Sequence, residues 1–203
     1  MTLRITLIAA ALAFAAHAVA APVVGKAAPD FSVTDANGKT QSLSAYKGKT
    51  VVLEWNNPEC PFVGKHYGAK NMQEQQAAAA SQGVVWLTVN SAATGKQGHL
   101  DGAGANAYLA KVGGKEAAYL LDGDGKVGHA YDAKTTPHMY VIDPKGTVIY
   151  AGGIDDKPST DQADIAGATN YVSAALDDTL AGKAVRTSTS KPYGCSVKYS
   201  AAE

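Results

Sequence analysis

The segment TVVLEWNNPECPFVGKHY spans residues 50–67 and contains the transition that decides the fold. Its first seven residues are nearly all apolar, as is typical of a strand buried on both faces of a sheet. Pro61 suits the first position of a helix, so the segment predicts a strand, then a helix, with Cys60 at the junction. A thiol at a helix N-terminus faces unpaired backbone N–H groups, which lower its pKa and raise its reactivity. We therefore interpret Cys60 as a reactive thiol; a buried, inert cysteine is the alternative.

The rest of the chain alternates between strand-like and helix-like patterns. These patterns predict a hairpin at 30–43, a helix at 61–82, a strand at 84–90, a helix at 105–112, a strand at 117–122, two strands at 137–143 and 147–154, and a helix at 165–180. A strand–helix–strand unit followed by a hairpin and a final helix is a mixed α/β arrangement. The order predicts a thioredoxin-like fold: a central mixed β-sheet flanked by helices, with an N-terminal β-hairpin extension and a C-terminal tail.

The N-terminus has the pattern of a secretory signal peptide. Arg4 precedes an apolar stretch at 5–16, and small residues follow it. That stretch is shorter than the roughly 20 residues that a membrane-spanning helix needs, so a retained membrane helix is the weaker alternative. We expect a signal peptide at 1–20, one thioredoxin-like domain at 21–182 and a tail at 183–203. The expected location is the periplasm, with no membrane span after processing.

Charge and cysteine content restrict the classes of function. The chain has 18 basic and 18 acidic side chains, and this balance gives no electrostatic basis for binding nucleic acid or an anionic membrane surface. Two cysteines, Cys60 and Cys195, make a disulfide possible in an exported protein. Their number alone does not establish that they pair.

Glu54 interrupts the apolar strand six residues before Cys60. A carboxylate is costly to bury unless it is paired or protonated. One interpretation is a proton acceptor and donor for the Cys60 thiol, with a pKa that burial raises. The alternative is a strand residue whose side chain points at a lysine.

Thr136 and Pro137 precede the strand-like stretch HMYVID. Proline occurs at the first residue or the edge of a strand, and an X-Pro peptide bond at this position can be cis. One interpretation places this loop against Cys60, where free backbone groups would bind a thiol substrate. The other is a simple loop end. His138, the next residue, is at best a minor candidate.

Four stretches together resemble the redoxins of the alkyl hydroperoxide reductase/thiol-specific antioxidant group, within the thioredoxin superfamily. They are APDFSVTDANGKTQSLSAYKGKTVVLEW (28–55), CPFV (60–63), TTPHMYVIDPKGTVIYAGGID (135–155) and YGCSVKY (193–199). The last three resemble a peroxiredoxin-like branch of that group. The resemblance implies a reactive Cys60 with a substrate site at Pro61, Thr136 and Pro137. It also implies that Cys195 lies near Cys60, either as a resolving cysteine or as half of a permanent disulfide that fixes the tail.

Departures from the related motifs narrow the expected activity. Val63 stands where thioredoxins have the second cysteine of Cys-x-x-Cys, so Cys60 has no local resolving thiol. Leu53 and Asn57 stand where peroxiredoxins have a proline and a threonine. Arg186, the only arginine after Arg4, lies in the tail rather than near the cysteine motif. These departures favour thiol–disulfide exchange over peroxidase activity.

We therefore predict an exported thiol–disulfide oxidoreductase. The Cys60 thiolate would attack a disulfide, or with lower preference a peroxide, Glu54 would manage the proton, and Cys195 would resolve the product. Its partners would be protein thiols or disulfides, or a peroxide, together with an external reductant. The alternatives are a peroxiredoxin-like thiol peroxidase, and a non-catalytic binding module or metallochaperone with a structural Cys60–Cys195 disulfide.

No organic cofactor and no metal site are predicted. The turn at 122–125 begins like a calcium loop but lacks the later ligands. Cys60, His66, His138 and Met139 are of the types that bind copper, but no paired ligand spacing supports such a site.

Overall fold

The computed structural model describes residues 23–201, and the predicted signal peptide lies outside the described residues. In chain order the elements are β1 (Ser32–Thr34), β2 (Thr40–Ser42), β3 (Val51–Trp55), α1 (Pro61–Gly68), α2 (Asn71–Ser81), β4 (Val85–Asn90), α3 (Gly102–Val112), β5 (Ala118–Leu121), α4 (Lys126–Ala130), β6 (Thr135–Thr136), β7 (His138–Ile142), β8 (Val148–Gly152), α5 (Tyr171–Leu180) and β9 (Cys195–Ser196). Short 3-10 helices lie at Leu43–Tyr46 and Gln162–Gly167. No helix within 23–201 is long and apolar enough to cross a membrane.

A five-stranded mixed sheet forms the centre of the fold, in the order β5-β4-β3-β7-β8. β3, β4 and β5 run parallel and are joined by helical crossovers, whereas β7 pairs antiparallel with both β3 and β8. β1 and β2 form a separate antiparallel hairpin. The predicted mixed α/β arrangement with an N-terminal hairpin is confirmed.

The central strand β3 is buried along its whole length, and its side chains alternate between two apolar clusters. On one face, the ring of Trp55 lies 5.4 Å from the ring of Tyr131, measured between centroids. On the other face, Val52 packs in the same cluster as Val63 of α1. Because side chains alternate along a strand, Glu54 shares the face of Val52 and points toward α1 and α2.

The predicted helix at 61–82 is instead two helices, α1 and α2. They are separated at Lys70, which has a left-handed backbone with φ +61°. At the end of α1, Gly68 lies against Gln162: a Cβ at this position would be 2.6 Å from the Gln162 side-chain nitrogen. The break also brings the Asn71 side chain to 2.7 Å from the ring of His66.

The predicted helix at 165–180 begins only at Tyr171. Asn170 has an extended backbone and caps α5, because its side chain accepts a hydrogen bond from the Ser173 N–H at 2.9 Å. The residues before it form the 3-10 helix Gln162–Gly167 rather than continuing α5.

The tail beyond residue 182 has no regular period, yet it packs along the sheet. Backbone hydrogen bonds join Ser188 and Ser190 to Ala151 of β8. Further on, β9 pairs antiparallel with β6, and the Tyr199 hydroxyl donates to the Ala133 carbonyl at 2.8 Å. The tail thereby returns to the cysteine end of α1.

Candidate active site

Cys60 lies at the N-terminus of α1, as the segment 50–67 predicts. It has an extended backbone, and its carbonyl accepts the first helical hydrogen bond, from the Gly64 N–H at 2.8 Å. Its side chain is only 1% exposed. The thiol donates to the Thr136 carbonyl oxygen at 3.1 Å.

Cys195 reaches this position through the pairing of β9 with β6, in which Thr136 and Cys195 are direct partners. Both cysteines are free thiols, and the Cys195 side chain hydrogen-bonds to Cys60. Gly194 makes the close approach possible: its φ is +129°, and a Cβ there would overlap the Thr136 carbonyl. The structure therefore brings together the two cysteines that are 135 positions apart in the sequence.

The two thiols have opposite acidities. Burial acts to raise the pKa of Cys60, but hydrogen bonds from the Cys195 side chain and from the Val63 backbone outweigh it, so that the pKa of Cys60 is lowered. Burial, together with donation to Cys60, raises the pKa of Cys195 to about 11. Cys60 is thus the more acidic thiol of the pair, and Cys195 is the less acidic one.

Glu54 is fully buried on the same face of β3 as α1. Its carboxylate accepts hydrogen bonds from five side chains: Trp86 Nε1 at 2.9 Å, Tyr67 OH at 3.0 Å, Asn56 Nδ2 at 3.2 Å, Gln76 Nε2 at 3.3 Å and Thr88 Oγ1 at 3.4 Å. Burial raises its pKa despite these donors. Within the described part of the chain, neither a lysine nor Cys60 is among its partners, so the lysine alternative is wrong.

A second buried carboxyl group, that of Glu116, lies near Glu54. Both of its oxygens are inaccessible to solvent and have no hydrogen-bond partner among the described residues. Burial, with added repulsion from Glu54, raises the pKa of Glu116 to about 7. Nothing in the sequence around Glu116 marks it as buried, because its position depends on the fold around Gln76, which accepts from the Lys115 N–H.

The Thr136–Pro137 peptide bond is cis, as its sequence context allowed, and this loop does lie against Cys60. The backbone there is not free, however, because β9 occupies the edge of β6. The expectation of open backbone groups for a substrate is therefore wrong for this arrangement of the tail. Pro61 is the first residue of α1 and is exposed beside Cys60.

A buried polar cluster behind Cys60 joins α1 to the tail. Lys65 Nζ donates to the Lys157 carbonyl at 2.8 Å and lies 3.9 Å from Asp155 Oδ2. The hydroxyl of Tyr193, two residues before Cys195, donates to Asp155 and lies 3.3 Å from His66 Nε2. Burial lowers the pKa of His66 to about 4, so its ring is neutral near pH 7. Sequence reasoning missed Tyr193 and Asp155, since 38 residues separate them.

The weaker candidates have structural surroundings. His138 is buried, its Nδ1 accepts from the Lys134 N–H at 3.2 Å, and burial lowers its pKa to about 4. Asp122 accepts hydrogen bonds from the Ser91 hydroxyl and the N–H groups of Val127 and Gly128. Residues 23–201 contain no cluster of three or more side chains of the His, Cys, Asp and Glu types that is suited to a metal ion.

Comparison with known proteins places the chain in a family. Residues 24–151 match the sequence profile of the AhpC/TSA family, and the chain belongs to that family. The fold is accordingly thioredoxin-like, as predicted.

Individual relatives narrow the comparison. The chain is 32% identical over 125 residues to "Thiol-disulfide oxidoreductase ResA" of Bacillus subtilis (strain 168), an alignment that covers 62% of this chain and 64% of the relative. A hypothetical protein from Sinorhizobium meliloti 1021 has a similar structure, with a TM-score of 0.76 and 25% sequence identity. The alignment covers 90% of this chain and 98% of that protein. A putative thiol:disulfide interchange protein DsbE from Chlorobium tepidum has a TM-score of 0.52 and 25% sequence identity. This alignment covers 64% of this chain and 85% of the Chlorobium protein.

Proposed function

We propose that the protein is a redoxin-type thiol–disulfide oxidoreductase whose Cys60 and Cys195 interconvert between a dithiol and a disulfide. The observation that carries this proposal is that both cysteines meet at Thr136: Cys195 is its partner in the β6–β9 pair, and the Cys60 thiol donates to its carbonyl oxygen at 3.1 Å. Relatives that are named thiol–disulfide oxidoreductases support the same chemistry. Its substrates are thiols or disulfides of other molecules, and an external redox partner restores the starting state.

The overall reaction balances as a two-electron exchange. When a substrate disulfide is reduced, its two sulfurs receive two electrons, and the Cys60 and Cys195 sulfurs lose them as their own bond forms. Because Cys60 is the more acidic thiol, the harder proton to remove is that of Cys195, whose pKa is raised to about 11. Glu54 is a proposed acceptor. The proton would have to pass through an intervening group, because neither Cys195 nor Cys60 is among the hydrogen-bond partners of Glu54.

A redox titration tests this function directly. The full chain is equilibrated in glutathione buffers of stepped potential, and its thiols are alkylated and counted by mass. We expect a reversible two-electron transition at a potential above about −300 mV, the range of labile rather than structural disulfides. A bond that never forms, or one that stays closed well below that potential, would contradict the proposal and favour the non-catalytic module.

A peroxiredoxin-like peroxidase is the second candidate, because Cys60 is a buried thiol of lowered pKa with a second cysteine, Cys195, beside it. Against it, Arg186 pairs with Asp178 of α5, with Nε at 3.0 Å from Oδ2, and is therefore engaged away from Cys60. Stoichiometric hydrogen peroxide separates the two functions: rapid sulfenic acid formation at Cys60 supports the peroxidase, and an unreactive Cys60 rejects it.

Export and domain division belong to the same proposal. Residues 1–20 act as a signal peptide that delivers the protein to a disulfide-permissive compartment, the periplasm; residues 21–182 form the catalytic domain, and residues 183–203 form the tail that carries Cys195. N-terminal sequencing of the protein from its own cells is expected to begin at Ala21. A chain that begins at Met1 would contradict removal of the signal peptide.

A further inference from the structure

The two cysteines differ in their access to other molecules. The Cys60 side chain is 1% exposed, enclosed by α1, the Thr136 loop and the tail. Cys195 lies outside it and is half-buried. A partner that approaches the pair therefore meets the Cys195 sulfur before the Cys60 sulfur.

The tail that shields Cys60 is held on both sides of Cys195. Before the cysteine, the Tyr193 hydroxyl bonds to Asp155, and its ring packs edge-on against Phe62 with centroids 5.9 Å apart. After it, the Val197 N–H donates to the Lys134 carbonyl at 3.1 Å. Access to Cys60 from this side requires these contacts to be broken together.

The tail also takes the place at which an extended partner chain would pair with the loop. Thr136, whose carbonyl accepts from Cys60, is paired in register with Cys195. A partner strand at that edge would have to displace β9. The closed arrangement is suited to a partner that presents a protruding thiol, or to a small thiol, rather than to a partner that adds a strand.

We propose that Cys195 is the sulfur through which the partner enters: a partner thiolate bonds to Cys195 and expels Cys60 from the Cys60–Cys195 disulfide. This inference rests on the proposed function, because it requires the disulfide to form and open. It reverses the expected order of contact, in which Cys60 meets the substrate and Cys195 only resolves the product. Phe62 and Tyr193, which pack in the same apolar cluster as Cys195, form the surface next to the entering thiol.

Each step of the exchange balances. The partner thiolate forms a sulfur–sulfur bond to Cys195 while the Cys60–Cys195 bond breaks, and Cys60 leaves with the electron pair as a thiolate. A second thiolate of the partner then attacks its own sulfur in the mixed disulfide, closes the partner's disulfide and releases Cys195, which takes up a proton. The backbone hydrogen bond from Val63 also lowers the pKa of Cys60 and does not need a proton on Cys195, so it can stabilise the leaving Cys60 thiolate. A thiol of lower pKa is the better leaving group, in agreement with this direction of attack.

Trapping the mixed disulfide tests this assignment on the unaltered chain. The oxidised full-length protein is mixed with excess glutathione, quenched with acid at successive short times, and mapped by peptide mass spectrometry at low pH. We expect at least about tenfold more glutathione adduct on Cys195 than on Cys60, because exchange at a disulfide selects the accessible sulfur with the better leaving group. Adduct on Cys60 in equal or greater amount, or opening of the bond with no adduct on Cys195, overturns the inference.

The outcomes of the trapping experiment separate this inference from the proposed function. If the bond opens through an adduct on Cys60, the proposed function stands and only the sulfur that the partner attacks is wrong. If the bond never opens under reductant, both the inference and the proposed function fail.

Tyr193→Ala, which removes the contacts with Asp155 and Phe62, is expected to increase the share of adduct on Cys60. Lys191→Ala, a substitution at an exposed position in the same tail, serves as the control and should leave that share unchanged. An unchanged share in Tyr193→Ala would show that the tail does not shield Cys60.

Discussion

Replacing Gly194 with alanine tests whether the tail backbone delivers Cys195 to Cys60. Gly194 has φ +129°, and a Cβ at this position would overlap the carbonyl oxygen of Thr136, which is backbone and cannot rotate away. Strain in such a glycine-only region costs about 1–3 kcal/mol. The reduced protein can relieve the strain by opening the tail, whereas the disulfide form has to retain it.

The strain therefore acts selectively on the disulfide form. A cost of about 1–3 kcal/mol lowers the equilibrium constant for forming the Cys60–Cys195 bond by a factor of about 5 to about 150. The assay is the glutathione redox equilibrium, with oxidised and reduced chains counted after alkylation. Far-ultraviolet circular dichroism checks that the fold is retained.

Gly146→Ala is the control for this substitution. Gly146 also has a positive φ, of +83°, but no heavy atom lies within 4 Å of an added Cβ, and it is in the turn between β7 and β8. It is expected to lower the free energy of unfolding by about 1 kcal/mol without changing the redox equilibrium. An equilibrium constant for Gly194→Ala within about twofold of the unaltered protein would refute the reasoning, since a cost of about 1 kcal/mol is the lower limit.

Three other perturbations follow from the same site. Tyr193→Phe removes the hydrogen bond to Asp155 that holds the tail. A hydrogen bond to a charged group contributes about 1.5–3 kcal/mol, so we expect the equilibrium constant for forming the Cys60–Cys195 bond to fall by at least about tenfold in the glutathione titration. Thiolate absorbance of the reduced protein should rise in two separate steps, the first below pH 9.0 for Cys60 and the second near 11 for Cys195. Cys195→Ala should abolish the second step and move the Cys60 step upward, because the side-chain hydrogen-bond donor to Cys60 is lost. The pKa of Glu116 is about 4.5 in the unfolded chain and about 7 in the folded protein, so the free energy of unfolding should decline as the pH rises between these two values. Denaturation of Glu116→Gln over the same pH range should lack this decline. An equal decline in both proteins would contradict the assignment.

Local patterns predicted the part of the fold that depends on local chemistry. The buried strand β3, the helix that starts at Pro61 and the cysteine between them follow from apolar content and from the constraint on proline. The sequence did not predict the break between α1 and α2 at Lys70, because a lysine with a positive φ has no sequence signal of its own. The start of α5 was missed for a related reason: the capping role of Asn170 competes with a continuous helical pattern.

The sequence pointed to three residues that the structure brings together, Cys60, Thr136 and Cys195, but not to the geometry that joins them. Cys60 and Thr136 are marked by the junction and by the proline that follows, and the resemblance to redoxins added Cys195. That β9 closes the edge of β6 depends on two paired residues and one glycine, too short a stretch for any periodic pattern. The hydrogen bond between Tyr193 and Asp155 also could not be predicted from the sequence, because it joins side chains from distant segments.

The passage of the tail along β8 has a consequence for self-association. β8 is one of the two outermost strands of the central sheet, and an uncovered outer strand offers unpaired N–H and C=O groups to neighbouring molecules. Ala151 of β8 is instead bonded to Ser188 and Ser190, and Val148 near its other end is bonded to Gly25 and Lys26. The chain thus covers its own outer strand with its two terminal segments. Shortened versions that end before residue 188 should lose half of that cover and tend to aggregate, even though all five strands of the sheet remain.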